Sequence, residues 1–134
     1  MGWFSDWLSR LAGTLERPSS KIRISQKQIE WLPDGTITIK GLRLGTWITT
    51  VKNTNSMEPM IDEGMICFLE PITNMADLIV GDIIVYFGII HRIVKIGEDK
   101  LGWYCKCRGD NNNADDPYII RPENITHVFR GVLT

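Results

Sequence analysis

From residue 21 onward the apolar residues of this chain recur at every second position, in short runs. Ile22 and Ile24 alternate with charge, Ile37 and Ile39 alternate with threonine, and Thr46 to Val51 reads as an extended run. Successive side chains on a strand point to opposite faces, so a period of two describes half-buried strands. Turn formers cut the runs at Pro33-Asp34-Gly35, Gly88, Gly97 to Gly102 and the polar stretch 109–118. Such residues supply positive φ or bond their own backbone. Further strands are expected at Met65 to Leu69, Gly81 to Phe87, Ile89 to Ile96, Trp103 to Arg108 and Val128 to Leu133, with one helical turn within 122–126. The chain reads as mainly β, and residues 21–51 as an antiparallel meander without chemistry of its own.

The period differs only at the start. Trp3, Phe4, Trp7, Leu8, Leu11 and Leu15 fall at spacings of three and four, which predicts one amphipathic helix over residues 3–16. The division expected is 1–17 as a helical docking element and 18–134 as the β-domain. The aromatic face has three destinations: its own domain, a protein partner or second copy, or a membrane surface. A formal net charge of -1 offers no attraction to anionic lipid, which favours protein contact.

The same charge, with lysine and arginine scattered, leaves no footprint for nucleic acid. A length of 134 residues allows one domain with a modest core. The longest apolar run, Ile83 to Ile90, is far too short to span a bilayer. Asp6 and Arg10 interrupt what would be the apolar part of a secretory signal. Three cysteines make no disulfide framework, and Cys105 and Cys107 share a strand face, where they suit a core better than a bridge or a metal. No metal or cofactor is expected. The location expected is the cytoplasm or the periphery of a membrane.

Chemistry concentrates in four stretches: Asn53 to Ile61, Gly81 to Val85, Ile90 to Val94, and Arg108 to Asp116. Ser56 precedes Met57-Glu58-Pro59, and the proline cannot continue a strand, so Ser56 should project from a strand-to-turn junction. Ser-Met-Glu-Pro also suits a helix N-cap. A serine hydroxyl becomes a nucleophile only when a base takes its proton. His91, on a strand of isoleucine and valine, is either a core histidine or that base, since a neutral imidazole suits the task near pH 7. Lys95 competes for the role, because simple alternation sets it on the face of His91, although well along the strand from it. An acid is needed to orient the imidazole. Asp110, Asp115 and Asp116 all lie in the following loop. Asp82 reads as the polar start of a buried strand.

The order and wording of these stretches, Asn53 to Ile61, Gly81-Asp82-Ile83-Ile84-Val85, Ile90-His91-Arg92-Ile93-Val94 and Arg108-Gly109-Asp110-Asn111-Asn112 before Asp115-Asp116, resemble the signal peptidase I superfamily. The likeness is to the archaeal and endoplasmic-reticulum type, which uses histidine where most bacterial enzymes use lysine. It runs from about Thr54 to Leu133. The resemblance implies a curled antiparallel β-domain, a serine endopeptidase acting on polypeptides, and pockets favouring small residues before the cut. It implies Ser56 as nucleophile and His91 as base. It also implies Asp116 as the third member, with Asp110 bracing the loop or sharing that role. The Ser56 backbone N–H and Thr54 would bind the oxyanion. Members of the family normally carry an N-terminal membrane anchor, which is not expected here. Two other readings stand beside it: a non-catalytic assembly protein docking by its N-terminal helix, and a LexA-like self-cleaving protein using Ser56 and Lys95.

Overall fold

The computed structural model describes residues 24–52 and 55–133, and within them the chain is built from strands. In order these are β1 (Ile29–Trp31), β2 (Ile37–Ile39), β3 (Trp47–Thr50), β4 (Ile66–Pro71), β5 (Ile83–Tyr86), β6 (Ile89–Asp99), β7 (Gly102–Arg108) and β8 (Ile125–Leu133). One turn of 3-10 helix at Pro122–Asn124 leads into β8, with proline at its start. The expected helix over 3–16 lies outside the described residues, as do Thr54 and the boundary between 1–17 and 18–134. Among the described residues no helix is long and apolar enough to cross a membrane.

The expected meander over 21–51 is divided between two sheets. β1 and β2 form a separate hairpin, closed by Leu32 N–H to Thr36 O at 2.8 Å with Gly35 at φ 89°. β3 instead joins the edge of a six-stranded antiparallel sheet ordered β3-β4-β8-β5-β6-β7. The last strand thus lies near the middle, between two strands formed much earlier in the chain.

β5 explains why residues 83–86 form a continuous apolar run rather than an alternating one. Ile83 and Val85 pack with Met57, Ile61, Cys67, Leu69 and Phe129. Ile84 and Tyr86 pack with Ile93, Cys105, Cys107, Ile120 and Val128. Both faces are covered, so every residue of β5 is buried. The hairpin to β6 turns on Phe87 and Gly88, with φ of 49° and 74°. Positive φ at both central residues matches the twist of the flanking strands.

A bulge in β6 changes the expected facing of its side chains. Ile93 pairs with Cys107, but the next pair is Lys95 with Lys106, followed by Ile96 with Cys105. Val94 is the extra residue, so alternation restarts one position late. Lys95 therefore shares the face of Lys106, whereas Ile93 and Ile96 share that of the buried cysteines. The expectation that Lys95 follows His91 and Ile93 on one face is corrected.

Candidate active site

Ser56 stands at the start of a tight turn. Asn55 before it adopts φ 58°, a left-handed conformation that asparagine tolerates better than most residues. After it, Ile61 N–H closes on Met57 O at 3.0 Å. Met57 and Ile61 are buried, at 4% and 2% exposure, and plug the turn into the core. The serine is thus carried on a short, anchored corner.

His91 reaches it from the sheet. It lies opposite Ile84 on β6, three residues past the Phe87-Gly88 turn, and is buried. Its Nε2 is 3.0 Å from Ser56 Oγ. Its Nδ1 is 2.6 Å from Asp116 Oδ2. A carboxylate only accepts hydrogen bonds, so the neutral imidazole carries its proton on Nδ1 and presents the Nε2 lone pair to the serine hydroxyl. Asp116 is held in turn by its own N–H, which donates to Cys107 O at 2.8 Å. The Tyr86 hydroxyl donates to the same Oδ2 that His91 uses.

The other acids of the loop go elsewhere. Asp110 meets Arg92 through two bonds, Nε to Oδ1 at 2.8 Å and Nη2 to Oδ2 at 2.7 Å. Both side chains are buried, and Arg92 also donates to Gly81 O at 2.9 Å. This planar pair ties the loop to the base of β5 instead of orienting His91. Asp115 lies at the surface, 3.7 Å from Arg108. Asp82 is fully buried and accepts from Ile79 N–H at 2.9 Å, a local turn role. Lys95 is exposed, with its ammonium 5.9 Å from the Tyr104 ring centre.

Four residues to which the sequence reading gave no role of their own support this geometry. Asn111 N–H donates to Ser56 O at 2.8 Å, and its amide donates to Asn55 O at 2.9 Å, so the loop clasps the serine corner. Gly109 permits that approach: a Cβ there would sit 2.6 Å from Ser56 O and 3.0 Å from His91 Nε2. Arg92 and Tyr86 complete the set. The signals for them were faint. A tyrosine ending an aliphatic strand carries a polar handle that needs a partner. An arginine beside a buried histidine needs an acid.

Electrostatics follow from burial. Tyr86 is fully buried, and the cost of stripping water from its phenolate raises its pKa far above the usual value; the bond to Asp116 adds to this. Cys107 is raised as well, first by its hydrogen bond with Cys105 and then by burial. Burial pushes the Cys67 thiol up to about 11. These thiols stay protonated and inert. Among the described residues no three His, Cys, Asp or Glu side chains gather as a metal site.

A cleft of about 480 Å³ opens beside Ser56 and His91. Trp47, Thr49 and Val51 line one side, Leu69 and Val85 contribute apolar lining, and Ile89 and Ile90 come from the β5–β6 hairpin. No described strand pairs with the outer edge of β3.

The chain is 31% identical over 83 residues to signal peptidase I W of Bacillus subtilis, an overlap of 58% of this chain and 44% of that protein. It is 35% identical over 95 residues to the signal peptidase complex catalytic subunit SEC11 of Eremothecium gossypii, covering 60% of this chain and 56% of that protein. The chain spans about half the length of these curated relatives. No family model and no solved structure matches it. The two similarities support the signal peptidase I superfamily at modest identity.

Proposed function

We propose that this chain is a serine endopeptidase resembling signal peptidase I, with Ser56 as nucleophile, His91 as general base and Asp116 as the orienting acid. One observation carries the reading. Asp116, His91 and Ser56 form an unbroken hydrogen-bonded series, at 2.6 and 3.0 Å, that ends on a hydroxyl at an apolar cleft. A core histidine would need no such series. The names of the relatives agree with the chemistry.

In the proposed reaction Ser56 Oγ attacks the carbonyl carbon of a peptide bond while its proton passes to His91 Nε2. The imidazolium is stabilised by Asp116 through Nδ1. The negative charge on the former carbonyl oxygen is met by the Ser56 backbone N–H and by Thr54, a donor taken over from the family resemblance. The imidazolium then gives its proton to the leaving amine. Water, deprotonated by the same nitrogen, releases the acyl group and restores Ser56. Asp110 acts at one remove: paired with Arg92, it holds the loop that carries Asp116. The substrate is an extended polypeptide that adds to the outer edge of β3, which no described strand covers, and lays alternate side chains into the cleft. The Ser56–Lys95 alternative lacks support, because the bulge at Val94 turns Lys95 to the other face.

The test is covalent. A fluorophosphonate probe should label the full chain on Ser56, with the adduct mapped by peptide mass spectrometry. Ser56→Ala and His91→Ala should each lower labelling by about 10⁴-fold or more, because triad members act as a unit. A folded protein that takes no label at Ser56 would overturn the reading.

A further inference from the structure

We propose that Tyr86 is a positioning residue for this site: its buried hydroxyl holds the Asp116 carboxylate against His91. The inference rests on the peptidase reading for its purpose, though its geometry stands apart from that reading.

Tyr86 ends the run Ile83-Ile84-Val85-Tyr86 and is 0% exposed. Phenylalanine would fill the same space without taking a hydroxyl out of water. A buried phenol is retained at a desolvation cost unless its oxygen has a partner. Here the partner is Asp116 Oδ2, the oxygen that also receives His91 Nδ1. The two rings stand 6.5 Å apart between centres at 70°, so their donors converge on one carboxylate from different directions.

The convergence is written into the hairpin. His91 pairs with Ile84, and Tyr86 follows Ile84 by two, so both side chains lie on one face of β5 and β6. These strands are joined by two residues, and the donors move as a unit. The acceptor arrives from elsewhere, on the 109–118 loop. A carboxylate on a loop is free to rotate unless more than one donor holds it. Tyr86 supplies the second bond, which leaves Oδ2 facing the imidazole before any substrate arrives.

The surroundings keep the phenol in its donor form. From β7 the buried Cys105 and Cys107 face the cluster. Asp115 lies beyond them with Arg108 at 3.7 Å. Ser56 approaches the far side of His91. Burial raises the tyrosine first and the Asp116 bond second, so it stays protonated across the working range.

Two consequences separate positioning from mere packing. Without the hydroxyl the carboxylate turns more freely, and Ser56 reacts more slowly. Its charge, no longer shared with a phenol, also holds the proton on His91 more firmly. The acid limb of the rate profile then moves to higher pH. A purely structural tyrosine would change stability and leave that limb in place.

The experiment compares the full chain with Tyr86→Phe. Ser56 labelling by the fluorophosphonate is followed from about pH 5 to 9, and the His91 ring is titrated by NMR in parallel. We expect labelling at the plateau to fall about tenfold, the worth of one hydrogen bond to a charged group. The labelling limb and the His91 midpoint should both move up. A second variant with 3-fluorotyrosine at position 86 keeps the shape and strengthens the donor, and should move both the other way. It decides the matter if Tyr86→Phe does not fold. Unmoved His91 midpoints in whichever variants fold would overturn the proposal. If wild type takes no label while the His91 midpoint still follows residue 86, the peptidase reading fails and the positioning stands.

Discussion

The β1–β2 hairpin and the β5–β6 hairpin are both two-stranded, both antiparallel and both closed by short turns, yet they do different work. β1 is exposed along its whole length, with Trp31 at 70% exposure, whereas every residue of β5 is buried. The first is joined across by an ion pair between Lys40 and Glu30 at the surface. The second carries Tyr86 and His91, whose bonds run to the interior side of a loop. The difference teaches where chemistry can be built. A polar side chain keeps one geometry only where neighbours on every side leave it no alternative. Burial on both faces of the sheet supplies that constraint, and a solvated hairpin does not.

The sharpest way to break the comparison is to exchange roles within the buried region. Asp116→Asn should lower Ser56 labelling by about 10⁴-fold, because the imidazole loses its orienting charge. It should leave the unfolding midpoint close to that of wild type. Asp110→Asn should do the reverse. It takes the counter-charge from the buried Arg92 guanidinium, and urea unfolding should show a loss of about 3 kcal/mol. Near-equal effects of the two changes on labelling would refute the division of roles between these acids.

Gly109→Ala should come next. The added methyl would lie 2.6 Å from Ser56 O, so either the serine corner or the loop must move. Labelling should fall about 10²-fold, as expected for a displacement of about 1 Å at a reacting group. Alanine at Gly35, on the exposed hairpin, meets nothing within 4 Å and should leave labelling unchanged. Its cost is backbone strain alone, since φ is 89°.

A smaller effect belongs to His127, buried on β8 beneath Trp47 with ring centres 3.8 Å apart. Burial lowers its pKa below the ordinary 6.5, and a bond to the Gly45 backbone only partly opposes this. Folding therefore favours the neutral ring. Its contribution is complete above the unfolded value and is lost as pH falls through the lower folded one. Thermal melts at pH 7.5 and 5.5 should show a drop that is smaller in His127→Gln than in wild type. An equal drop in both proteins would remove His127 as the source. The smallest effect is expected at the solvated hairpin. Glu30→Gln should change stability by less than about 0.5 kcal/mol, because both partners are largely exposed.

The mainly β character was legible because side-chain period is a local property. Ile37 and Ile39 declare a strand without reference to anything distant. Partnership is not local, so β3 could not be distinguished from β1 and β2, although only β3 enters the large sheet. The bulge at Val94 was hidden for a related reason: one extra residue changes facing without changing composition, and Lys95 is placed wrongly by simple alternation. At the candidate site, family wording singled out Ser56, His91 and the acidic loop. Residue chemistry alone left Asp110, Asp115 and Asp116 equivalent. The choice depends on which backbone groups and cations the loop meets, and Arg92 is met only in three dimensions. Tyr86 was passed over because it looks like core, and Gly109, though it stands within the loop wording, was given no role because it looks like a turn.

The outer edge of β3, which no described strand covers, sets terms for handling the protein as well as for the proposed activity. Under the proposed function this edge admits an extended peptide and so carries no blocking charge or bulge, which makes it equally available to a strand from a second molecule. Trp47 and Ile48, at 53% and 67% exposure, make that encounter adhesive. Its reach is limited by length, since β3 has four residues and offers few backbone bonds to an intruder. Solubility at high concentration and the proposed access for substrate are thus tied to the same four residues. A short strand mimetic capped on its far side would occupy that edge and serve at once as inhibitor and as stabiliser against self-association.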